Sequence, residues 1–246
     1  MKFLKQRHYF QAIIGFHLFL WAISLYLFKG SYIELHSQAP LVDNFVNTEG
    51  ISPFRIAGEI FSTFAITAFA FNLFMATKAR WVEKLFGGLD KMYMVHRRTA
   101  FIGLTALIFH IILIPRDKSI PGPFFMDLGL GNFLGMSAFF LLLIGIIISA
   151  VPYFKKKLPY NKWLKVHKYM GLFYLFAVIH AFLVPSLIKE LPLISAYVFT
   201  VSLLGVSAWV YKAFLYTHFN PVLDYRVVSS ESANDDTSII TLKPVN

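Results

Sequence analysis

Six runs of roughly twenty apolar residues recur along the 246-residue chain, near 9–29, 53–77, 92–114, 128–153, 161–186 and 193–215. A helix of about 20 residues is what it takes to cross roughly 30 Å of hydrocarbon. Inside that hydrocarbon the backbone must satisfy its own N–H and C=O groups, which leaves helices or closed barrels. The runs are helix-length, and the reading is an all-α membrane protein, a six-transmembrane-helix bundle. Composition agrees, since only 15% of residues are charged against about a quarter in soluble domains.

The charges predict an orientation. Lys2, Lys5 and Arg7 precede the first run, Lys78 to Arg98 supply six cations between the second and third, and Lys155 to Lys168 supply six more between the fourth and fifth. The opposite loops hold few, none in 30–52, with Arg55, Arg116, Lys118 and Lys189 at or near span ends. Cations gather on the cytoplasmic side of short loops, so both termini are expected there, in a plasma or bacterial inner membrane. The formal charge of +10 is then a set of collars facing anionic lipid headgroups, and no nucleic-acid partner is required. The first run is longer than the 7–15 apolar residues of a signal peptide, so it reads as a retained span. Cysteine is absent, which excludes disulfides, thiolate metal sites, iron–sulfur clusters and thiol nucleophiles within the chain.

Histidine carries the chemistry. His8, His36 and His218 fall outside the runs, and His17 sits alone in the first, where a packed hydrogen bonder is expected. The other four form pairs: His96 and His110 on the third run, His167 and His180 on the fifth. Fourteen residues advance a helix by about 21 Å and return the side chain to within about 40°, so His96 and His110 share one face at two depths. Gly103, midway between them, is expected to clear space on that face for a flat ligand. The third and fifth runs point the same way, so His96 is level with His167 and His110 with His180. Mononuclear zinc or iron would want three or four ligands at each level. Two facing imidazoles suit the axial positions of haem, whose propionates would find Arg97, Arg98 and Lys168 beside the inner pair. The thirteen residues from His167 to His180 leave an ideal helix about 140° out of phase. An irregular backbone is therefore expected over 167–173, where Gly171 lies.

The segments "LDKMYMVHRRTAFIGLTALIFH" and "YNKWLKVHKYMGLFYLFAVIH" resemble the two histidine-bearing helices of the ferric reductase and NADPH oxidase superfamily. That resemblance implies two b-type haems between helices 3 and 5, the inner on His96 and His167, the outer on His110 and His180. It also implies that Phe173 stands between them. The bundle is expected over 1–219. The tail, 220–246, alternates apolar and polar residues as two short strands and is similar to the opening of the flavin-binding barrel that follows the sixth helix in these enzymes. FAD and NAD(P)H would belong to a reductase domain whose motifs this sequence lacks. The implied activity is transmembrane electron transfer from a cytoplasmic reduced flavin to a small extracytoplasmic acceptor, ferric iron or oxygen. Ile114 stands where oxygen-reducing relatives commonly carry a histidine, which favours ferric iron, and Arg55 is a candidate partner for an outer propionate or an anionic chelate. Two alternatives are a haem subunit serving a periplasmic reductase, and a metal or proton transporter. Glu59 is the only carboxylate well inside a run, and transporters usually carry more.

Overall fold

The computed structural model describes residues 11–27, 46–47, 50–51, 53–114, 129–219, 224–234 and 237–245. The expected loops at 30–52 and 115–127, with Arg116 and Lys118, lie almost wholly outside them. Among the described residues, five helical segments are long and apolar enough to cross a membrane. They are α2 (Pro53–Ala76), α4 (Leu89–Leu113), α5 (Leu130–Ala150), the pair α7 (Tyr160–His167) and α8 (Met170–Leu183), and α10 (Pro192–Val210) with its continuation to Phe219. A further apolar helix, α1, covers Gln11–Leu27. Short helices α3 (Arg80–Phe86), α6 (Pro152–Lys157) and α9 (Leu187–Glu190) lie in the connections. Gly87 and Gly88 turn the chain from α3 into α4 with φ of 75° and 121°, values that suit glycine because it has no Cβ to clash.

Two antiparallel helix pairs organise the bundle. α2 packs along α4, and α5 packs along α8, while α4 and α8 approach each other only sparsely. α10 lies against α2, with Gly205 accepting the close approach of Ala70 and Tyr174. The buried core, including Trp21, Phe69, Leu104, Leu142, Tyr174 and Ile194, runs along these contacts. Many apolar side chains point outward instead, such as Phe133, Ile144 and Phe199. Outward apolar surface is what a helix facing lipid presents. His17 is buried as a packed hydrogen bonder, with Tyr197 Oη at 3.4 Å and the Ile60 carbonyl at 3.2 Å. Trp21 Nε1 donates to Thr63 Oγ1 at 2.9 Å, so polar contacts from both His17 and Trp21 join α1 to α2.

The fifth span breaks where its histidine spacing requires. α7 ends at His167 and α8 restarts at Met170. Between them Tyr169 N–H donates to Val166 C=O at 3.0 Å, an i→i−3 bond. Such a turn winds about 20° further per residue than an α-helix and begins to close the 140° gap. Gly171 lies just after the break. A Cβ there would run into the Trp209 indole of α10, whose Nε1 donates to the Lys168 carbonyl at 2.8 Å. Trp209 thus fills the notch and satisfies a carbonyl that the break exposes.

α10 continues as a π-helical turn, Tyr211–Leu215, and a last short helix, α11 (Tyr216–Phe219). Beyond it, β3 (Tyr225–Asn234) and β4 (Thr237–Pro244) form the expected antiparallel pair. Val227 pairs with Leu242, and Ser230 with Ile240, with a bulge between. Directly opposed residues share a face, so Tyr225, Val227, Ile240 and Leu242 line one side, all exposed. A two-stranded hairpin is marginal by itself. A second, two-residue pair joins β1 (Val46–Asn47) to β2 (Gly50–Ile51).

Candidate functional site

Each of the four histidines is tied down by the helix packed beside its own. On α4, His110 Nδ1 lies 3.0 Å from the Gly58 carbonyl of α2. On α8, His180 Nδ1 lies 2.8 Å from the Gly131 carbonyl of α5. A carbonyl can only accept, so in both rings Nδ1 carries the proton and Nε2 keeps its lone pair. That is the arrangement of metal-ligating histidines, which usually donate their second N–H to a carbonyl or carboxylate. Nothing among the described residues bonds either Nε2.

The inner pair uses side chains as well. His167 Nδ1 lies 3.2 Å from Ser149 Oγ of α5, and Trp163, one turn earlier, stacks on the imidazole with centroids 4.8 Å apart and planes at 21°. On the other helix, buried Asn72 of α2 bridges the backbone of α4. Oriented to satisfy both ends, its amide donates to His96 C=O and accepts from Ala100 N–H, each at 2.9 Å. Asn72 therefore grips the turn that carries His96.

The inner rings meet: His96 and His167 have centroids 6.3 Å apart. Metal–imidazole bonds are about 2.0 Å long, so two of them back to back, with part of each ring added, span about 6 Å. The inner pair therefore has a separation that a metal held between the two rings would need, across a gap where α4 and α8 are not packed together. No three His, Cys, Asp or Glu side chains cluster among the described residues. The donor set fits two-fold axial ligation of a macrocycle that brings its own equatorial nitrogens.

The other expected site residues divide. Arg97 and Arg98 stand exposed beside His96, and Lys168 stands exposed at the break beside His167, so three cations flank the inner pair. Phe173 is half-buried and packs against the core. Gly103 needs correcting. A Cβ there would meet Phe69 at 3.1 Å and Ala68 at 3.3 Å, so this glycine lets α4 approach α2 and does not clear room for a ligand. Arg55 is 7% exposed and bonds Glu59 Oε1 at 3.2 Å, with Nη2 reaching the Pro185 carbonyl at 3.3 Å. Its charge is engaged within the protein, where sequence reasoning placed it toward an outer ligand.

Sequence reasoning missed the glycines of α5. A Cβ at Gly135 would lie 2.5 Å from His180 Nδ1, one at Gly131 would lie 3.0 Å from Val184, and one at Gly145 would strike Met170. Their signal was legible as "GNFLG", a small-xxx-small pattern that lets membrane helices come close. Ser149 and Asn72 were also legible, as polar residues inside apolar spans.

Comparison with known families gives a match to the model described as ferric reductase like transmembrane component, over residues 61–178, slightly under half the chain. The matched segment holds His96, His110, His167 and Phe173 and stops two residues short of His180. No curated protein matches the chain as a relative.

Proposed function

From the match of residues 61–178 to the ferric reductase like transmembrane component, we propose that this integral membrane protein carries electrons across its bilayer by way of two b-type haems. The observation that carries the reading is the anchoring of three of the four histidines, His110, His167 and His180, with Nδ1 against the neighbouring helix and Nε2 left for a metal. When bound, haem supplies reversible one-electron chemistry that no side chain here offers. The chain's own residues hold and orient it. His96 and His167 grip the inner site, His110 and His180 the outer, and the apolar faces of α4, α5 and α8 exclude water from both. Arg97, Arg98 and Lys168 neutralise carboxylates at the inner end, and Phe173 lies on the helix between the two levels.

Electrons enter on the side of Arg97, Lys168 and the hairpin, which we take as cytoplasmic with both termini. The exposed apolar face of β3 and β4 is the start of a sheet that a flavin reductase domain completes, and that domain would bring FAD and NAD(P)H. This observation favours a flavin donor over service to a periplasmic reductase. At the outer end Ile114 packs on Gly58 and offers neither a proton nor a hydrogen bond, which favours outer-sphere reduction of a ferric chelate over dedicated oxygen reduction.

Pyridine haemochrome counting on the purified chain tests the ligand assignment. Two haems per chain are expected, falling to one in His96→Ala or His167→Ala and to one in His110→Ala or His180→Ala. One haem in the unaltered chain, or no Soret band, overturns it. Stopped-flow reoxidation by a ferric chelate and by oxygen at equal concentration tests the acceptor, and faster oxidation by oxygen with stoichiometric superoxide rejects ferric iron.

A further inference from the structure

We propose that Ser149 and Trp163 form a positioning pair that fixes the tautomer and orientation of His167, so that the inner haem depends on one removable hydroxyl while the outer does not. The proposal rests on the two-haem reading above. Ser149 Oγ is engaged three ways. It donates its proton to the Gly145 carbonyl at 2.8 Å, accepts from Trp163 Nε1 at 3.2 Å, and meets His167 Nδ1 at 3.2 Å. A hydroxyl has a single proton to give. That proton is spent on Gly145, so toward His167 the oxygen is an acceptor and Nδ1 must carry the hydrogen. The lone pair is thereby left on Nε2, the nitrogen that can ligate iron.

Trp163 adds orientation. Its indole lies nearly parallel to the imidazole at 4.8 Å and reaches the same hydroxyl, so the ring is held on one face and at one edge together. His167 needs this because its neighbourhood is the least regular in the span: α7 ends on it, and Lys168 and Tyr169 lie in the break. His110 and His180 are held by backbone carbonyls at 3.0 and 2.8 Å, which no substitution deletes. The inner and outer sites therefore differ in how they can be perturbed.

The test uses the full chain in detergent. Haem transfer to excess apomyoglobin is followed in the unaltered chain, in Ser149→Ala and in Ser149→Thr, with His110→Ala present in each so that only the inner haem is counted. Loss of the partner behind a metal-bound histidine typically weakens binding 10–100-fold. Ser149→Ala is expected to shed inner haem faster by about that factor, with Ser149→Thr restoring retention. Trp163→Phe, which keeps the stacking ring but loses the N–H, is expected to fall between them. In the haem-free chain, nitrogen-15 spectra should report His167 as the Nδ1–H tautomer, turning to a mixture in Ser149→Ala. If Ser149→Ala retains inner haem like the unaltered chain, or if Thr fails to rescue it, the positioning role is wrong. If the unaltered chain holds no haem on His96 and His167, the two-haem reading itself has failed, and the tautomer measurement alone still decides what Ser149 does to His167.

Discussion

Glu59 is the side chain whose removal should disturb this bundle most for its size. It is 3% exposed on α2. Arg55 Nε donates to Oε1 at 3.2 Å, and Ile188 N–H donates to Oε2 at 3.2 Å, with the Leu187 backbone as a further partner. One carboxylate thus joins the outer end of α2 to α9, the link between the fifth and sixth spans. Glu59→Ala takes the carboxylate away from a cation that is itself only 7% exposed and leaves the α9 amides without an acceptor. Breaking one side of a buried ion pair costs about 3–5 kcal/mol, and a stranded amide adds roughly 1–3 kcal/mol. The variant is therefore expected to lose at least about 3 kcal/mol. Replacing both partners with apolar residues removes the uncompensated charge and is often neutral or stabilising. Arg55→Met with Glu59→Leu should recover most of the loss, short of the α9 amide term. Denaturant unfolding in micelles, followed by tryptophan fluorescence, on the unaltered chain, Arg55→Met, Glu59→Leu and the double variant gives the coupling energy. A double variant that loses the sum of the two single losses would show that the residues act independently and would refute the pair.

Gly135→Ala is expected to push His180 off the Gly131 carbonyl, since the new methyl would stand 2.5 Å from Nδ1. Haem content should drop from two to one while the His96–His167 site keeps its spectrum, and full retention would contradict the assigned outer ligand. Trp209→Phe removes the bond to the Lys168 carbonyl, a net loss of about 0.5–1.5 kcal/mol, together with part of the indole's volume, whereas Gly171→Ala drives a methyl into the indole and should destabilise more. Thermal unfolding ranks the two, and the reverse order would mean that Trp209 acts as a clamp and not as a filler. The 246-residue chain alone is expected to be reduced by dithionite and not by NADH or NADPH, as absorbance of the haem bands would report. Oxidation of either nicotinamide by the pure chain would show that the tail had been misread.

The spans were readable because hydropathy over twenty residues is a strong, additive signal, and the approach of His96 to His167 was readable because helical rise and rotation are fixed numbers. The break after His167 was readable for the same reason. Thirteen residues do not close on one face, and the chain resolves the conflict at Lys168 and Tyr169, just ahead of Gly171. Gly103 shows the limit of this kind of reading. Periodicity gives the direction of a position around its helix, but not which neighbour lies there, and the neighbour proved to be Phe69. Arg55 shows a second limit, since its partners Glu59 and Pro185 come from two distant parts of the chain. The anchors of His110 and His180 are backbone carbonyls, which every residue possesses, so no residue type could announce them. Gly135, which leaves room for the His180 ring, did leave a mark in the sequence.

The histidine-bearing helices do not set their own ligand geometry; their neighbours do. On α2 the anchors Gly58 and Asn72 are fourteen residues apart (58 to 72), the same spacing as His96 and His110 on the antiparallel α4. Two regular helices running side by side keep such a match without adjustment, because each residue advances both by the same amount. On α5 the anchors Gly131 and Ser149 are eighteen residues apart (131 to 149), which is five whole turns at about 3.6 residues each. A straight α5 therefore presents both anchors on one face, toward the fifth span. His167 and His180, at thirteen residues, cannot match that from a straight helix, and the misfit is absorbed between α7 and α8. The misfit with α5 is thus taken up inside the fifth span, and His167 beside the break is the histidine whose Nδ1 meets a side chain.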